Sequence, residues 1–386
     1  MYFRLNPECY FIRGNKLGAI FDLIDNKIYA LNQIETGIVT SVERNSLVSG
    51  DEKFLNELKM LRLGNFYNNK MYIEKIRFYS RNAESALEST ANLNRAFLEI
   101  NNSCKRDCWF CGLYGVRRSL GCLGCNKWNE DGKPLEIERW KKLIDELRDL
   151  NCQVAIITGG DLTLDWDRTR EILYYAEDKF NEIYIVLHQA RLSEINMMDL
   201  HDRAKPIIQV EDINNETLEC IPEGSLPLLI VKPEQWHEVR DITTRSKNAI
   251  VDFVIEGSSF TNILPIMSKK EIMVPGLYKF TQNMRYHPCL GNTLAISYTG
   301  NVFPCPMMRK YNLGNIKDEK LYTIFEKDGV NKINKFWKLT LDNVDKCSVC
   351  EFRYSCGDCR ALEESLTGKL DGKILCSYDP KEGIWL

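Results

Sequence analysis

The chain has 386 residues, with 51 lysines and arginines against 54 aspartates and glutamates and a net charge of −3. That length predicts two or three domains and a sizeable core, and the balanced charge gives no bulk case for a nucleic-acid or anionic-membrane partner. No run is long and apolar enough to span a bilayer, and the opening Met1-Tyr2-Phe3-Arg4-Leu5-Asn6-Pro7 does not read as a secretion signal. Its fifteen cysteines are therefore expected to be metal ligands in a reducing cytoplasm rather than a disulfide framework.

Residues 10–13, 17–24 and 27–31 are short apolar or alternating runs broken by Gly14-Asn15 and Asp25-Asn26, which predicts three strands joined by turns. A helix is expected over 35–42, with Ile34, Ile38, Val39 and Val42 at helical spacing. Another is expected over 54–63, carrying Leu55, Leu58 and Leu61 and stopping at Gly64-Asn65. Strands followed by helices predict a small winged-helix-like module over residues 1–85, and its mixed charges leave no basic face for DNA. Residues 71–78 read as a bridging strand and 80–92 as a polar linker at a domain boundary.

Strands are predicted over 96–100, 154–158, 182–187, 206–210, 228–231 and 250–255. Pro134 opens a helix whose stripe is Leu135, Trp140, Leu143, Ile144 and Leu147. Further helices are predicted over 168–179, 193–203 and 234–244. Six strands with helices between most of them predict an α/β fold, a parallel, partly closed (β/α)6 barrel over residues 93–283, with its site at the C-terminal strand ends. The first of those ends delivers Cys104-Lys105-Arg106-Asp107-Cys108-Trp109-Phe110-Cys111. Three thiolates this close can hold three irons of a cubane cluster and leave the fourth without a protein ligand. A zinc knuckle is the plainer alternative.

The C-x3-C-x-φ-C spacing, with Phe110 as the aromatic before Cys111, resembles the signature of the radical S-adenosylmethionine (radical SAM) superfamily. The resemblance implies a cluster held by Cys104, Cys108 and Cys111 whose open iron is chelated by S-adenosylmethionine, the source of a 5′-deoxyadenosyl radical. Thr158-Gly159-Gly160-Asp161, at the end of the second barrel strand, resembles the superfamily's Gly-Gly-Glu motif with a shorter acid. Phe110, Gly159, Gly160 and Asp161 are thus expected around the cofactor, Asp161 toward its ammonium group. His188 and Gln189 end the third strand, where His188 is expected at the surface. Cys122 and Cys125 form a C-x2-C pair with no evident partners and are expected to be ordinary thiols, as are Cys9, Cys152 and Cys220.

Seven cysteines follow residue 288: Cys289, Cys305, then Cys347-x2-Cys350-x5-Cys356-x2-Cys359, and Cys376. A zinc ribbon would employ four and leave three idle. The spacing resembles the SPASM domain, here 284–386, which houses two auxiliary four-iron clusters. The resemblance implies an outer cluster on Cys347, Cys350, Cys356 and Cys376 and an inner one on Cys289, Cys305 and Cys359, making three clusters in all. Some relatives have a further cysteine where this chain has Asn283, so the inner cluster is expected to lack a fourth thiolate. Its open iron would bind a substrate cysteine, unless His287 or Asp358 fills it. Sulfatase-maturing relatives carry an aspartate after the cysteine matching Cys305; here that residue is Pro306.

The first 85 residues resemble a RiPP recognition element, which takes a leader peptide as an added strand on its sheet edge. The edge would be 27–31, with Ile28, Tyr29 and Leu31 contacting the leader and 58–63 as the other wall. Together the resemblances imply an enzyme that installs a thioether cross-link in a ribosomally made precursor peptide, with an electron donor such as flavodoxin or ferredoxin. A carbon–carbon or carbon–oxygen cross-link is the alternative within the class. A non-catalytic iron–sulfur protein that binds peptide or transfers electrons is the alternative outside it.

Overall fold

The computed structural model describes the chain apart from residues 78–92, 112–115, 119–121, 123, 195–199, 201–203, 215–217, 236–237, 241, 243–247, 256–271, 273, 327–328 and 386. The expected linker at 80–92 and parts of the helices expected over 193–203 and 234–244 lie outside the described residues.

The N-terminal strands form where alternating apolar side chains can face two ways. β2 (Cys9–Arg13), β3 (Gly18–Asp22) and β4 (Lys27–Leu31) make an antiparallel sheet in that order, so β4 is an edge. The β3–β4 turn closes through Asn26 at φ 53° and Asp22 Oδ1, which accepts from the Ile24 and Asp25 amides at 3.1 and 3.0 Å. Helix α1 (Gln33–Glu43) starts at a reciprocal cap: Asn32 Oδ1 accepts from the Glu35 amide at 3.0 Å, and Glu35 Oε2 from the Asn32 amide at 2.9 Å. Helix α2 is Glu52–Met60. Ile20, Leu31, Val39, Leu55 and Leu58 form the core between these helices and one face of the sheet. The other face, through Tyr10, Ile12 and Phe21, packs on Phe280, Phe352, Tyr354 and Tyr378 from the far end of the chain. The Phe280 ring sits 5.0 Å from both Tyr10 and Phe21. The sequence missed β1 (Tyr2–Leu5) pairing with β5 (Gly64–Tyr67), and the strand expected over 71–78 is absent over 71–77.

The core is one open sheet. Its parallel strands are β6 (Arg95–Asn101), β8 (Val154–Gly159), β9 (Glu182–His188), β10 (Ala204–Val210), β11 (Leu226–Val231) and β12 (Ile250–Ile255), in that spatial order. Buried on both faces, they read as continuous β-branched and leucine runs. Helices α3 (Ile137–Asp149) and α4 (Trp166–Ala176) cover one face with the expected stripe of Trp140, Leu143, Ile144 and Leu147, all buried. The short β7 (Val116–Arg118) adds antiparallel to β12 at one edge. At the other edge β13 (Thr293–Ile296) adds parallel to β6 and is extended by β14 (Asn301–Phe303) and β15 (Gly314–Asn315). The sheet therefore runs across the boundary expected at residue 284, and it does not close into a barrel. Among the described residues no helix is long and apolar enough to cross a membrane.

Candidate metal centres

Cys104 follows β6 directly, and the loop it opens is fixed by the neighbouring strand. A Cβ on Gly159 (φ 139°) would stand 2.3 Å from the Asn101 carbonyl, and one on Gly160 would stand 2.3 Å from the Ser103 carbonyl. Only glycine allows that approach. The Gly160 amide then donates to Asn101 O at 3.1 Å and the Asp161 amide to Ser103 O at 2.7 Å. The two glycines thus clamp the segment that launches the cysteines.

Cys104, Cys108 and Cys111 line one cavity of about 430 Å³ with Phe110, Gly160 and Asp161. Donors point at the sulfurs: the Arg106 amide at Cys104 Sγ (3.4 Å) and the Lys127 amide at Cys111 Sγ (3.2 Å). Burial, only partly offset by a hydrogen bond from the Arg106 side chain, pushes the Cys108 thiol up to about 11. A cation in the cavity would reverse that, since coordination favours the thiolate. Three gathered thiols, backbone donors aimed at sulfur and space beside them fit an iron–sulfur cluster with one position left over.

The polar groups around this cavity are arranged differently from expectation. The Asp161 carboxylate accepts from Thr163 N and Oγ1 at 3.1 and 2.6 Å and from Arg191 Nε at 2.9 Å. Within the chain these are its partners, and it still lines the cavity. His188 is buried, not at the surface. Its Nε2 lies 3.2 Å from Glu211 Oε2 and 3.9 Å from Cys108 Sγ, while Nδ1 accepts from the Ala190 amide at 3.2 Å. Arg106 reaches the same Glu211 oxygen at 3.0 Å. The sequence also missed Cys125, which lines the cavity and is held by buried Gln209. Its amide donates to Gln209 Oε1, and Gln209 Nε2 donates to its sulfur, both at 3.1 Å.

The C-terminal cysteines gather into two groups. Cys347, Cys350, Cys356 and Cys376 all line a second cavity of about 430 Å³, walled by Phe352, Tyr378 and Trp385. The Phe352 amide points at Cys350 Sγ at 3.4 Å. Burial raises the Cys347 and Cys350 thiols. This donor set fits a closed, four-thiolate cluster.

The other group contains Cys289, Cys305 and Cys359, and a residue the sequence left unassigned. Cys122 is buried with its thiol in hydrogen-bonding reach of the Cys305 and Cys359 thiols, and Cys289 stands beside them. Burial pushes the Cys289 thiol up to about 11. The groups expected as substitutes are occupied. His287 Nδ1 accepts from the Cys289 and Leu290 amides at 3.1 and 3.0 Å, and its Nε2 pairs with Asp358 Oδ2 at 2.9 Å. Asp358 is gripped by Arg360 and by Lys373 at 2.8 Å. Burial alone would raise its carboxyl, but Lys373 and Arg360 outweigh that and hold it well below the usual range. Lys373 also reaches Glu363 at 2.7 Å, so a buried ion network lies between the two cysteine groups. The signal for Cys122 was the unpaired C-x2-C itself.

Comparison with known proteins agrees with this arrangement. Residues 98–225 match the radical SAM superfamily model, and residues 288–360 match SPASM, an iron–sulfur cluster-binding domain. Those two stretches of the chain match a radical SAM core and a SPASM domain respectively. A 96-residue stretch is 31% identical to an AdoMet-dependent heme synthase of Nitratidesulfovibrio vulgaris, covering 24% of this chain and 25% of that one. A 97-residue stretch is 30% identical to the protein of the same name from Oleidesulfovibrio alaskensis, covering 24% of each. The chain thus spans about a quarter of the length of the curated relatives it matches. Among solved structures, Streptococcus suis SuiB is similar at a TM-score of 0.46 and 14% identity over 96% of this chain and 99% of that one. SuiB bound to precursor peptide SuiA is similar at 0.45 and 14%, over 96% and 98%. A radical SAM core uses S-adenosylmethionine and a four-iron cluster, and a SPASM domain binds further iron–sulfur clusters.

Proposed function

We propose that this chain is a radical SAM enzyme that cross-links a ribosomally synthesised precursor peptide. The observation that carries the reading is a cavity in which three thiols of one loop, Cys104, Cys108 and Cys111, stand beside a fourth, Cys125, that is engaged by Gln209, leaving a coordination position for S-adenosylmethionine, paired with a second cavity lined by four cysteines. When bound, the cluster and S-adenosylmethionine supply a 5′-deoxyadenosyl radical that removes one hydrogen atom from a substrate carbon. Forming a second bond at that carbon releases a proton and an electron, so the product lacks two hydrogens. The auxiliary clusters are suited to take the electron.

In this reading Cys104, Cys108 and Cys111 hold the first cluster, and Phe110, Gly159, Gly160 and Asp161 shape the cofactor's side of the cavity. Asp161 acts through its hold on Thr163 and Arg191. Cys347, Cys350, Cys356 and Cys376 hold the outer cluster; Cys289, Cys305 and Cys359 belong to the inner one, giving three. A flavodoxin- or ferredoxin-like donor supplies the electron. Residues 1–85 act as a leader-binding module. Supporting that role, β4 is a sheet edge on which Ile28 and Tyr29 remain partly exposed, and the sheet's inner face packs on the C-terminal aromatics.

The bond is proposed as a thioether from a substrate cysteine. A specific observation favours the second reading, a carbon–carbon or carbon–oxygen link. Cys122 lies within hydrogen-bonding reach of Cys305 and Cys359, so in this reading a thioether would form from a thiol not held by the inner iron. The test is anaerobic enzyme with S-adenosylmethionine, a reductant and the small precursor peptide encoded nearest its gene. The proposal expects 5′-deoxyadenosine formation together with a modified peptide. Abundant 5′-deoxyadenosine beside an unchanged set of candidate peptides would overturn the substrate assignment and leave the radical chemistry standing.

A further inference from the structure

We propose that Cys122, from the radical SAM part of the chain, is the fourth ligand of the inner auxiliary cluster and closes it. The inference rests on the SPASM cysteines holding that cluster. Its ground is a group of four thiols: Cys122 and Cys305 are 5% and 4% exposed, Cys359 is 9% exposed, and Cys289 stands with them. Four thiols, with the neighbouring nitrogen and carboxylate groups among the described residues already bonded, are the donor set of a closed cubane. The alternatives are used up. Both His287 nitrogens are bonded, Asp358 is held by Arg360 and Lys373, and Asn283 Nδ2 donates to Tyr354 O at 2.8 Å.

The chain is led to this position. After the first cysteine loop it forms β7 at the sheet edge, where β7 lies against helix Arg360–Thr367, whose N-cap is Cys359. Cys122 then adopts φ 52°, a left-handed conformation uncommon for a residue with a Cβ. Three residues on, Cys125 lines the first cavity. Extended chain spans roughly 11 Å over three residues. One C-x2-C pair therefore touches both sites and fixes the inner cluster close to the radical-forming cavity. It also removes the iron on which a substrate thiol would dock.

The experiment compares anaerobically purified full-length wild type, Cys122→Ala, Cys122→Ser and Cys220→Ser. Cys220 is exposed and outside every cavity described above. Iron and sulfide per chain and the EPR spectrum of the reduced protein are recorded with and without added imidazole or a small thiol. The wild-type inner-cluster signal is expected not to respond to either additive. Cys122→Ala is expected either to lose one cluster's worth of iron or to keep it with a signal that shifts on addition of ligand. Cys122→Ser is expected to keep the iron with an altered signal, and Cys220→Ser to match wild type. The inference is overturned if Cys122→Ala keeps full iron and a wild-type, unresponsive spectrum. It is equally overturned if the wild-type inner signal shifts with added thiol. Failure of the peptide reaction with these spectra as expected would count against the proposed substrate alone.

Discussion

The cavity around Cys104, Cys108 and Cys111 and the cavity around Cys347, Cys350, Cys356 and Cys376 are both lined by four cysteines and differ in the rest of their lining. The first has three thiols from one eight-residue loop and a fourth, Cys125, bonded to Gln209, with buried His188 and Asp161 and half-buried Arg106 around them. The second has four thiols from two separated stretches, walled by aromatic rings. A fourth sulfur engaged elsewhere, as Cys125 is with Gln209, leaves a coordination position to offer where a full set of four leaves none, and polar groups gather where something else is to be held. The remaining group, Cys122 with Cys289, Cys305 and Cys359, matches the second cavity in number of thiols and includes one from the first region.

Replacing any of Cys104, Cys108 or Cys111 by alanine should separate the two sites most sharply. 5′-Deoxyadenosine should fall below detection by chromatography, while iron drops by one cluster and the auxiliary EPR signals persist. Loss of all iron in Cys104→Ala would mean the sites are not independent. Next comes the buried network between the C-terminal cysteine groups. Asp358→Asn leaves Arg360 and Lys373 facing a neutral group, and removing one partner of a buried pair costs about 3–5 kcal/mol. Chemical denaturation of the iron-loaded protein should report a loss of that order; a change under about 1 kcal/mol would mean Glu363 alone compensates Lys373.

A smaller effect is expected where the backbone clamps the first loop. Gly160→Ala places a Cβ 2.3 Å from the Ser103 carbonyl, an overpacking cost of about 1–3 kcal/mol. Its specific signature should be a disturbed first cluster with untouched auxiliary spectra. Unchanged spectra throughout would mean the loop yields without moving the cysteines. The smallest effect tests the edge strand. Tyr29→Ala is expected to weaken binding of the precursor's leader about tenfold, about 1.4 kcal/mol, read by fluorescence anisotropy with a labelled leader. 5′-Deoxyadenosine formed without peptide should not change.

The order of the six parallel strands and the landing of Cys104 at a strand end were legible because apolar runs and turn residues are local signals. The outer cysteine set was legible for the same reason: three of its members lie within ten residues, Cys347 to Cys356. What escaped depends on distant partners. Cys122 is separated from Cys289, Cys305 and Cys359 by the rest of the core, so its pairing with Cys125 read as two ordinary thiols. Asp161 stood out because the acid after two glycines is visible, while its partner Arg191 arrives from another strand end and left no local sign. His188 read as surface because nothing local announces Glu211 and Arg106. The β1–β5 pair joins residues 2–5 to 64–67 across the whole module, beyond any local pattern.

The most direct test of the account is the mass of the precursor peptide after one anaerobic reaction, taken with and without thiol alkylation. Cross-linking predicts the loss of two hydrogens per bond, matched by one 5′-deoxyadenosine. If an alkylatable cysteine disappears with them the bond is a thioether, and if every thiol survives it joins carbon to carbon or oxygen. No mass change and no 5′-deoxyadenosine, in protein with its full iron, would contradict the radical reading and leave an iron–sulfur protein that binds peptide without altering it.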